Sequence, residues 1–316
     1  MNSRTKKIVK IIIPLLFGGG LIWYLFTIIP PKTLLEYFKN ANYWWISLGL
    51  FFGILSHLSR AYRWKFMLEP MGYTPRFINS ALAVLIGYFV NLAIPRAGEV
   101  SRASVMANYE NIPFEKGFGT IVAERIADLI MMFLIIGVTL LIQFDFILQL
   151  VKEKLDPVKI IIGLVACLIG GFFFYKYVRK STKGLGLKIK NFIKSLVEGV
   201  TSIFRMKNKW PFIFHTVFIW AMYVLMFWAT IPAIEGLQVP FGGILVGFIA
   251  GGFSIAATNG GIGLYPLAVA GAFTLFGVPE EPSTAFGSVM WAAQTAMVIL
   301  FGGLSFLLLP ICNKAK

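Results

Sequence analysis

"GYFVNLAIPRAGEVSRASVMANYE", residues 87–110, begins as an apolar membrane segment and then changes character. The apolar run stops at Pro95, and three charged residues follow at three-residue spacing: Arg96, Glu99 and Arg102. Non-helical backbone persists at membrane depth only where it is buried in protein or lines a wet cavity. The stretch is therefore either a solvated loop at the end of a span or a polar site set into the membrane.

The composition of the chain indicates an all-α integral membrane protein. Hydrophobic residues make up 58% of the 316 residues and charged residues 14%, and the mean hydropathy is +0.77. A soluble domain of this length would carry more charge. The net charge of +15 lies mostly between apolar segments. Cytoplasmic loops and anionic lipid headgroups explain it better than nucleic acid does.

The sequence contains no recognisable motif for enzyme catalysis. It shows no metal-ligand cluster, nucleotide-binding loop or catalytic triad. We therefore predict no cofactor, no metal site and no catalytic residues, and expect that the protein is not an enzyme.

The apolar segments predict a polytopic architecture. A helix needs about twenty apolar residues to cross the hydrocarbon core, and six segments are long enough: 11–29, 43–59, 118–144, 158–178, 211–233 and 284–309. Two further apolar regions are interrupted, 77–117 by the charged stretch and 240–277 by "TNGGIG". No linker or soluble insert separates these segments, so residues 1–316 are predicted to form a single transmembrane domain.

The basic loops predict how the chain is oriented, because Lys and Arg concentrate on the cytoplasmic side. Segment 179–210 has nine Lys or Arg residues and one acid, and the N-terminus and 60–76 are also basic. With these three inside, 77–117 must enter and leave from the cytoplasm, and 240–277 from outside. Two oppositely inserted re-entrant hairpins are what an inverted repeat would produce, a plan common in secondary transporters. Both termini are then cytoplasmic, and the protein is multi-pass in the cytoplasmic membrane.

Charged residues also interrupt the predicted span 118–144, where Glu124, Arg125 and Asp128 stand among apolar neighbours. Glu124 and Asp128 are four residues apart and share a helix face. Placing such a group in the membrane costs about 2.5–3.5 kcal/mol, so we expect these residues to face a partner or a cavity. The alternative is a structural ion pair near the cytoplasmic interface.

The second interruption, "SIAATNGGIGLYPLAV" at residues 254–269, predicts a break followed by a new helix from Leu264. The N–H groups and dipole of a helix start favour an anion. The candidate binding residues are Thr258, Asn259, Gly260, Gly261 and Gly263. The alternative is a packing break, because glycines let membrane helices approach closely.

Polar residues at the end of the span 43–59 rank lower as functional candidates. Arg60 and Arg63 are expected to be anchors that reach the headgroups. His57 is expected to be structural, and His215 lies near a predicted membrane boundary.

Three motifs occur in order: N-x-x-x-P-R-x-G-E, then E-R-x-x-D, then G-G-I-G. Over about residues 10–309 the chain resembles the lysylphosphatidylglycerol synthase transmembrane-region family, which includes the flippase domain of the multiple peptide resistance factor. The resemblance assigns the motif positions to Asn91, Pro95, Arg96, Gly98, Glu99, Arg102, Glu124, Arg125, Asp128, Gly260, Gly261 and Gly263. Asn259 and the pair Tyr265-Pro266 stand where family members often have a proline and an acid. No aminoacyl-transferase domain is expected here, so synthase activity is not implied.

The paired breaks and the resemblance predict a flippase-like transporter that moves a phospholipid or glycolipid headgroup between leaflets through a charged intramembrane cavity. Arg96 and Arg102 would contact the lipid phosphate. Glu99, Glu124 and Asp128 would pair with these arginines or with a cationic headgroup. Asn91 and Arg125, which also fill motif positions, are further candidate binding residues.

The predicted ligand is an anionic or aminoacylated phospholipid, or a glycolipid. A homo-oligomer and a partner lipid-modifying enzyme are both compatible with the sequence. Two alternatives stay open. One is a scaffold or accessory subunit that binds lipid or lipid-linked sugar for a partner enzyme, and the other is a membrane enzyme acting on polyprenyl phosphates.

Overall fold

The computed structural model describes residues 19–146, 148–149, 169–174, 176–181, 185–187, 189–190, 206–258 and 260–313. Several predictions fall wholly or partly outside these residues: the start of the first span, most of span 158–178, most of the basic segment 179–210, and Asn259. Throughout the described part of the chain the regular structure is helical.

The main helices follow the apolar segments. They are α1 (Gly19–Ile28), α2 (Pro31–Asn40), α3 (Tyr43–Leu68), α4 (Phe77–Ala93), α5 (Ala97–Glu110), α6 (Phe114–Ile142), α7 (Lys209–Thr230), α8 (Phe241–Ala257), α9 (Leu264–Thr274) and α10 (Glu280–Cys312). Within the residues that the structure describes, three stretches are long and apolar enough to cross a membrane: Phe114–Ile142, Lys209–Ala233 and Glu280–Cys312. The all-helical membrane class is confirmed, and the number of spans stays a prediction.

Two compact units divide the chain. The first joins Met1–Val122 to Trp210–Lys316, and the second is Ala123–Lys209. The first unit contains both helix breaks, and the second contains the charged positions near the middle of α6. The prediction of a single domain stays a prediction.

Helix α3 is longer than the sequence predicts. The prediction ended this span at residue 59 because charged residues begin there, but Arg and Lys are good helix formers. The helix runs on to Leu68, and a 3₁₀ turn containing Pro70 follows it. At its start, the Asn42 side chain accepts a hydrogen bond from the N–H of Trp44 at 3.1 Å. Arg60 and Arg63 consequently belong to a helix and not to a loop.

Helices α4 and α5 form a broken hairpin, with the break where the sequence places it. The chain leaves α4 after Ala93 and resumes in α5 at Ala97, because Pro95 forces its predecessor out of the helical region. The two backbones touch at a pair of glycines. A Cβ placed on Gly98 would lie 2.0 Å from the carbonyl oxygen of Gly87.

Helices α8 and α9 form a second broken hairpin around the glycine motif. Gly260, Gly261 and Gly263 have φ values of 68°, 82° and 70°, which glycine adopts at little steric cost. The legs of the hairpin pack through Gly251, where a Cβ would meet the Tyr265 ring at 2.7 Å. The predicted break and the helix start at Leu264 are both observed.

Helix α10 packs against both hairpins. At Gly287 an added Cβ would lie 2.7 Å from the Cα of Pro266 in α9. At Gly302 it would lie 2.5 Å from the Cβ of Phe89 in α4. A single long helix therefore supports α9 of one hairpin and α4 of the other.

A polar latch joins the end of α10 to both ends of the first hairpin. Asn79 of α4 is fully buried, and its Nδ2 donates to Glu110 Oε1 of α5 and to Asn313 Oδ1. Asn313 Nδ2 donates back to Asn79 Oδ1 at 2.9 Å. The latch fixes where α4 starts and α5 ends relative to α10.

We expect Asn79→Ala to lower the free energy of unfolding by about 1–2 kcal/mol, since it removes the hydrogen bonds of a buried side chain to Glu110 and Asn313. Glu110→Gln is the matched control, because the amide retains the Oε1 acceptor and should change stability little. Thermal unfolding of the purified variants in detergent measures both. Equal melting temperatures for Asn79→Ala and the unchanged protein would contradict this role.

Candidate functional site

The tip of the first hairpin is held by a side chain that caps α5. The Gly98 N–H donates to Asn91 Oδ1 at 2.7 Å, which satisfies one of the amides left open at a helix start. Asn91, a predicted binding residue, therefore has an oxygen already engaged in shaping the break. Arg96 precedes α5 with φ of 64°, a conformation that costs a non-glycine residue about 1–2 kcal/mol. Its side chain is exposed.

Arg96→Gly should separate stability from function. Glycine relieves the strain of the left-handed backbone in the folded state, which stabilises the protein. It also raises the conformational entropy of the unfolded chain, which destabilises the protein by a similar amount, so the melting temperature should change little. Lipid flux should fall about tenfold if the guanidinium contacts a phosphate. Arg96→Lys keeps both charge and strain and should retain most of the flux. A proteoliposome transport assay and thermal unfolding measure the two effects, and unchanged flux in Arg96→Gly would contradict a role in binding.

Arg102 lies within the protein. It is 4% exposed, and its guanidinium carbon lies 4.3 Å from the centre of the Trp64 ring in α3, a cation–π contact. The Trp64 indole N–H in turn donates to Thr120 Oγ1 at 2.7 Å. The sequence places Arg96, Glu99 and Arg102 near one helix face. The structure distinguishes them, with Arg96 exposed at the tip, Glu99 half-buried and Arg102 buried.

The inner face of α3 carries two further buried arginines. Arg63 is fully buried and donates from Nη1 to Thr216 Oγ1 of α7 at 2.8 Å. Arg60 is 3% exposed, and its Nη2 donates to the Tyr223 hydroxyl at 3.4 Å. The expectation that both are headgroup anchors is wrong, because α7 packs along this face and receives the guanidinium groups. Arg60, Arg63 and Trp64 are spaced so that all three share one helix face. This spacing could have indicated from the sequence that the two arginines are buried.

At the second break, two groups make hydrogen bonds within the protein. The Gly260 carbonyl accepts from Trp291 Nε1 of α10 at 2.8 Å. The Thr258 hydroxyl donates to the Ser254 carbonyl at 2.8 Å, so its proton is used within α8. The Thr258 hydroxyl, predicted to donate to an anion, thus donates to a backbone carbonyl at the end of α8.

The first turn of α9 offers fewer amides than the sequence predicts. The Tyr265 N–H donates to the Gly261 carbonyl at 2.8 Å, and Pro266 has no N–H. Gly261 and Gly263 are themselves buried. The Tyr265 amide is therefore engaged and position 266 has none, while anion binding at the glycine motif stays a prediction.

The two breaks lie next to one another in the first unit. A Cβ placed on Gly260 would be 3.4 Å from Leu92 Cδ2, which is ordinary van der Waals contact. Leu92 belongs to the last turn of α4, directly before the first break. The structure thus brings together the tips of two hairpins that are far apart in sequence.

In the second unit, α6 carries the acidic motif. Glu124 is 1% exposed and Asp128 is 8% exposed. Arg125 is exposed, and its Nη1 lies 4.0 Å from Asp128 Oδ2. The two carboxylates are therefore buried, as expected of charged groups that avoid lipid.

An open pocket of about 360 Å³ lies elsewhere in the first unit. It is lined by Tyr37 of α2 and by the loops that precede α8 and α10, including Glu235 and Gln238. The Tyr37 hydroxyl donates to Glu281 Oε1 at 3.1 Å. Burial raises the pKa of the Tyr37 phenol, and the neighbouring Glu281 raises it further. No motif or pattern in the sequence predicts this pocket.

Comparison with known proteins identifies the family of the chain. Residues 11–302 match the profile described as the lysylphosphatidylglycerol synthase TM region. The chain belongs to this family. The expected membership in the lysylphosphatidylglycerol synthase transmembrane-region family is confirmed, and the matched range includes both helix breaks and the buried acids of α6.

Two relatives match over shorter stretches. A UPF0104 membrane protein of Methanocaldococcus jannaschii is 32% identical over 127 residues, covering 39% of this chain and 37% of that protein. Glycosyltransferase AglD of Haloferax volcanii is 27% identical over 141 residues, covering 44% of this chain and 23% of that protein. The matches thus span just over a third and under a quarter of the relatives' lengths. No solved structure matches the chain significantly.

Proposed function

We propose that this protein is a flippase-like lipid transporter of the cytoplasmic membrane, with both termini inside the cell. It moves a phospholipid or glycolipid headgroup between the leaflets. In this proposal the α4–α5 hairpin enters from the cytoplasmic side and the α8–α9 hairpin from the opposite side. The ligand is an anionic or aminoacylated phospholipid, or a glycolipid.

One observation carries the proposal: the two helix breaks adjoin at Leu92 and Gly260. Broken helices at the membrane midplane mark substrate sites in transporters built from inverted repeats. Non-helical backbone at that depth requires a protein or aqueous environment. Adjoining tips give a headgroup a polar route through the hydrocarbon core.

The charges on the first hairpin suit a phosphate. Arg96 at the tip is exposed, whereas Arg102 is buried against Trp64 further along α5. The planar guanidinium donates in pairs to phosphate oxygens and keeps its charge in an apolar setting. A headgroup would first meet Arg96 and then the buried arginines. Glu99, beside them in sequence, would balance charge or accept from a cationic headgroup.

Reconstitution tests the proposal directly. Liposomes that contain the purified protein and fluorescent phosphatidylglycerol are treated with dithionite, which bleaches only the outer leaflet. We expect bleaching to proceed beyond the outer-leaflet fraction, and expect this further bleaching to be roughly 10- to 100-fold slower with Arg102→Gln protein at the same density. Identical bleaching with and without the protein, across anionic, aminoacylated and glycosylated lipids, would contradict transport.

A second candidate function is an accessory subunit that presents a lipid-linked sugar to a partner enzyme. It is favoured by the glycosyltransferase name of the Haloferax volcanii relative, although the match covers only 23% of that protein. Glu99→Gln distinguishes the two roles. A transporter should lose flux while remaining folded, whereas an accessory subunit should continue to support its partner's activity.

A further inference from the structure

A cluster of polar side chains lies between α3, α4 and α7, apart from the three family motifs. We call it the His–Tyr cluster. Its members are His57, Arg60, Tyr88, Trp220 and Tyr223. The His57 and Tyr88 ring centres are 4.3 Å apart, and the His57 and Tyr223 ring centres are 6.2 Å apart. The two tyrosine hydroxyls lie 3.0 Å from each other, and Trp220 packs edge-on against Tyr223 at 6.1 Å.

Two buried nitrogens of this cluster have no hydrogen-bond partner in the part of the chain that the structure describes. His57 is 6% exposed and Trp220 is 8% exposed. Among the residues that the structure describes, nothing accepts from or donates to His57 Nδ1 or Trp220 Nε1. Buried polar atoms in native proteins are almost always paired, so an orphan indicates a water or a ligand. Here two orphans flank the same tyrosine.

The chemistry of the cluster favours an anion. The Trp220 indole N–H can only donate, and His57 Nδ1 donates when it carries the proton. Arg60 adds a permanent positive charge and donates to the Tyr223 hydroxyl at 3.4 Å. Tyr88 and Tyr223 are only half-buried, so the described part of the protein does not fully enclose the cluster.

We propose that the His–Tyr cluster is a phosphate-binding subsite, and that its ligand is the phosphodiester of an anionic phospholipid. This inference rests on the proposed lipid transport and locates a part of the path. Tyr88 is on α4, the first leg of the broken hairpin, so a phosphate held here lies beside that hairpin. Arg60 supplies the charge, the Tyr223 hydroxyl and the Trp220 indole donate to phosphate oxygens, and His57 completes the donor set.

Binding measurements on the purified full-length protein test the subsite. Dioctanoyl phosphatidylglycerol is titrated by calorimetry in detergent, with dioctanoylglycerol as the ligand that has the same chains and no phosphate. Inorganic phosphate is titrated separately as the free anion. Arg60→Gln removes the charge and Tyr223→Phe removes only a hydroxyl. Lys65→Gln, a partly exposed cation on the same helix, is the matched control.

We expect dioctanoyl phosphatidylglycerol to bind and dioctanoylglycerol not to bind. Arg60→Gln should weaken binding about tenfold and Tyr223→Phe about threefold, while Lys65→Gln should leave it unchanged. Inorganic phosphate could instead bind, with the same loss of affinity in the variants, while the lipid does not. That result would support a phosphate site but overturn the proposal that its ligand is a phospholipid. Unaltered lipid affinity in folded Tyr223→Phe and Arg60→Gln proteins overturns the subsite, as does absence of binding to the unchanged protein.

The two proposals fail separately. Should Arg60→Gln not fold, Tyr223→Phe decides the question, since the ring that packs against His57 is retained. Lipid flux in the dithionite assay, together with binding that the substitutions do not change, would support the transport proposal and contradict the subsite proposal. Variant-sensitive binding without flux would keep the subsite and remove transport.

Discussion

Gly98→Ala is expected to lower the free energy of unfolding by about 3 kcal/mol, toward the upper end of overpacking effects, and to abolish lipid flux. The added Cβ would lie 2.0 Å from the Gly87 carbonyl oxygen and 2.7 Å from the Asn91 side chain. Neither neighbour can move without a large free-energy cost, because one is helix backbone and the other caps α5 by accepting from the Gly98 N–H. The legs of the hairpin would have to separate, which moves the break away from Gly260.

Gly119→Ala is the matched control, because a Cβ at Gly119 would have no described atom within 4 Å. Alanine favours a helix over glycine, so this variant should be as stable as the unchanged protein or slightly more stable. Thermal unfolding and the dithionite assay are measured on both variants. A Gly98→Ala protein with a normal melting temperature and normal flux would show that close packing of α4 on α5 is unnecessary.

Arg102→Gln is expected to reduce lipid flux by roughly 10- to 100-fold, the range set by the loss of charge-assisted hydrogen bonds. The substitution removes the buried charge and the stacking of its guanidinium on Trp64, which lies 4.3 Å away. Arg102→Lys keeps the charge but loses the planar fork, so its flux should be intermediate. Flux is measured at matched protein density in proteoliposomes.

Trp64→Phe is the control for this contact. Phenylalanine keeps an aromatic face beneath Arg102 but loses the hydrogen bond to Thr120. The variant should therefore have a lower melting temperature but a nearly unchanged rate of lipid flux. Arg102→Gln protein that elutes and melts normally and still transports at the unchanged rate would remove Arg102 from the path.

The helix breaks were predictable from sequence because their causes are local. Pro95 excludes its predecessor from a helix, and the positive φ angles at Gly260, Gly261 and Gly263 suit glycine. The interrupted apolar regions 77–117 and 240–277 predicted two breaks, and each region contains two helices separated by a break. Their insertion from opposite sides of a membrane stays a prediction.

The parts that sequence missed depend on packing between distant segments. Arg63 donates to Thr216, 153 positions away, and hydropathy alone assigned that arginine to a loop. The partnership of His57 with Tyr223 likewise arises only when α7 packs on α3. At the second break, Pro266 and the bond from Tyr265 to Gly261 reduce the donors available to an anion, a consequence of turn geometry that residue types did not reveal.

Cross-linking the hairpin tips tests the central claim most directly. In protein with Cys167 and Cys312 replaced by serine, Leu92→Cys is combined with Gly260→Cys, and the liposome-embedded protein is treated with a short bifunctional thiosulfonate. The contact of Leu92 with Gly260 predicts an intramolecular cross-link that stops flux until it is reduced. Leu92→Cys with Gly271→Cys, a position facing open space, should not cross-link. Absence of the Leu92–Gly260 product in folded protein would contradict a shared site at the two breaks.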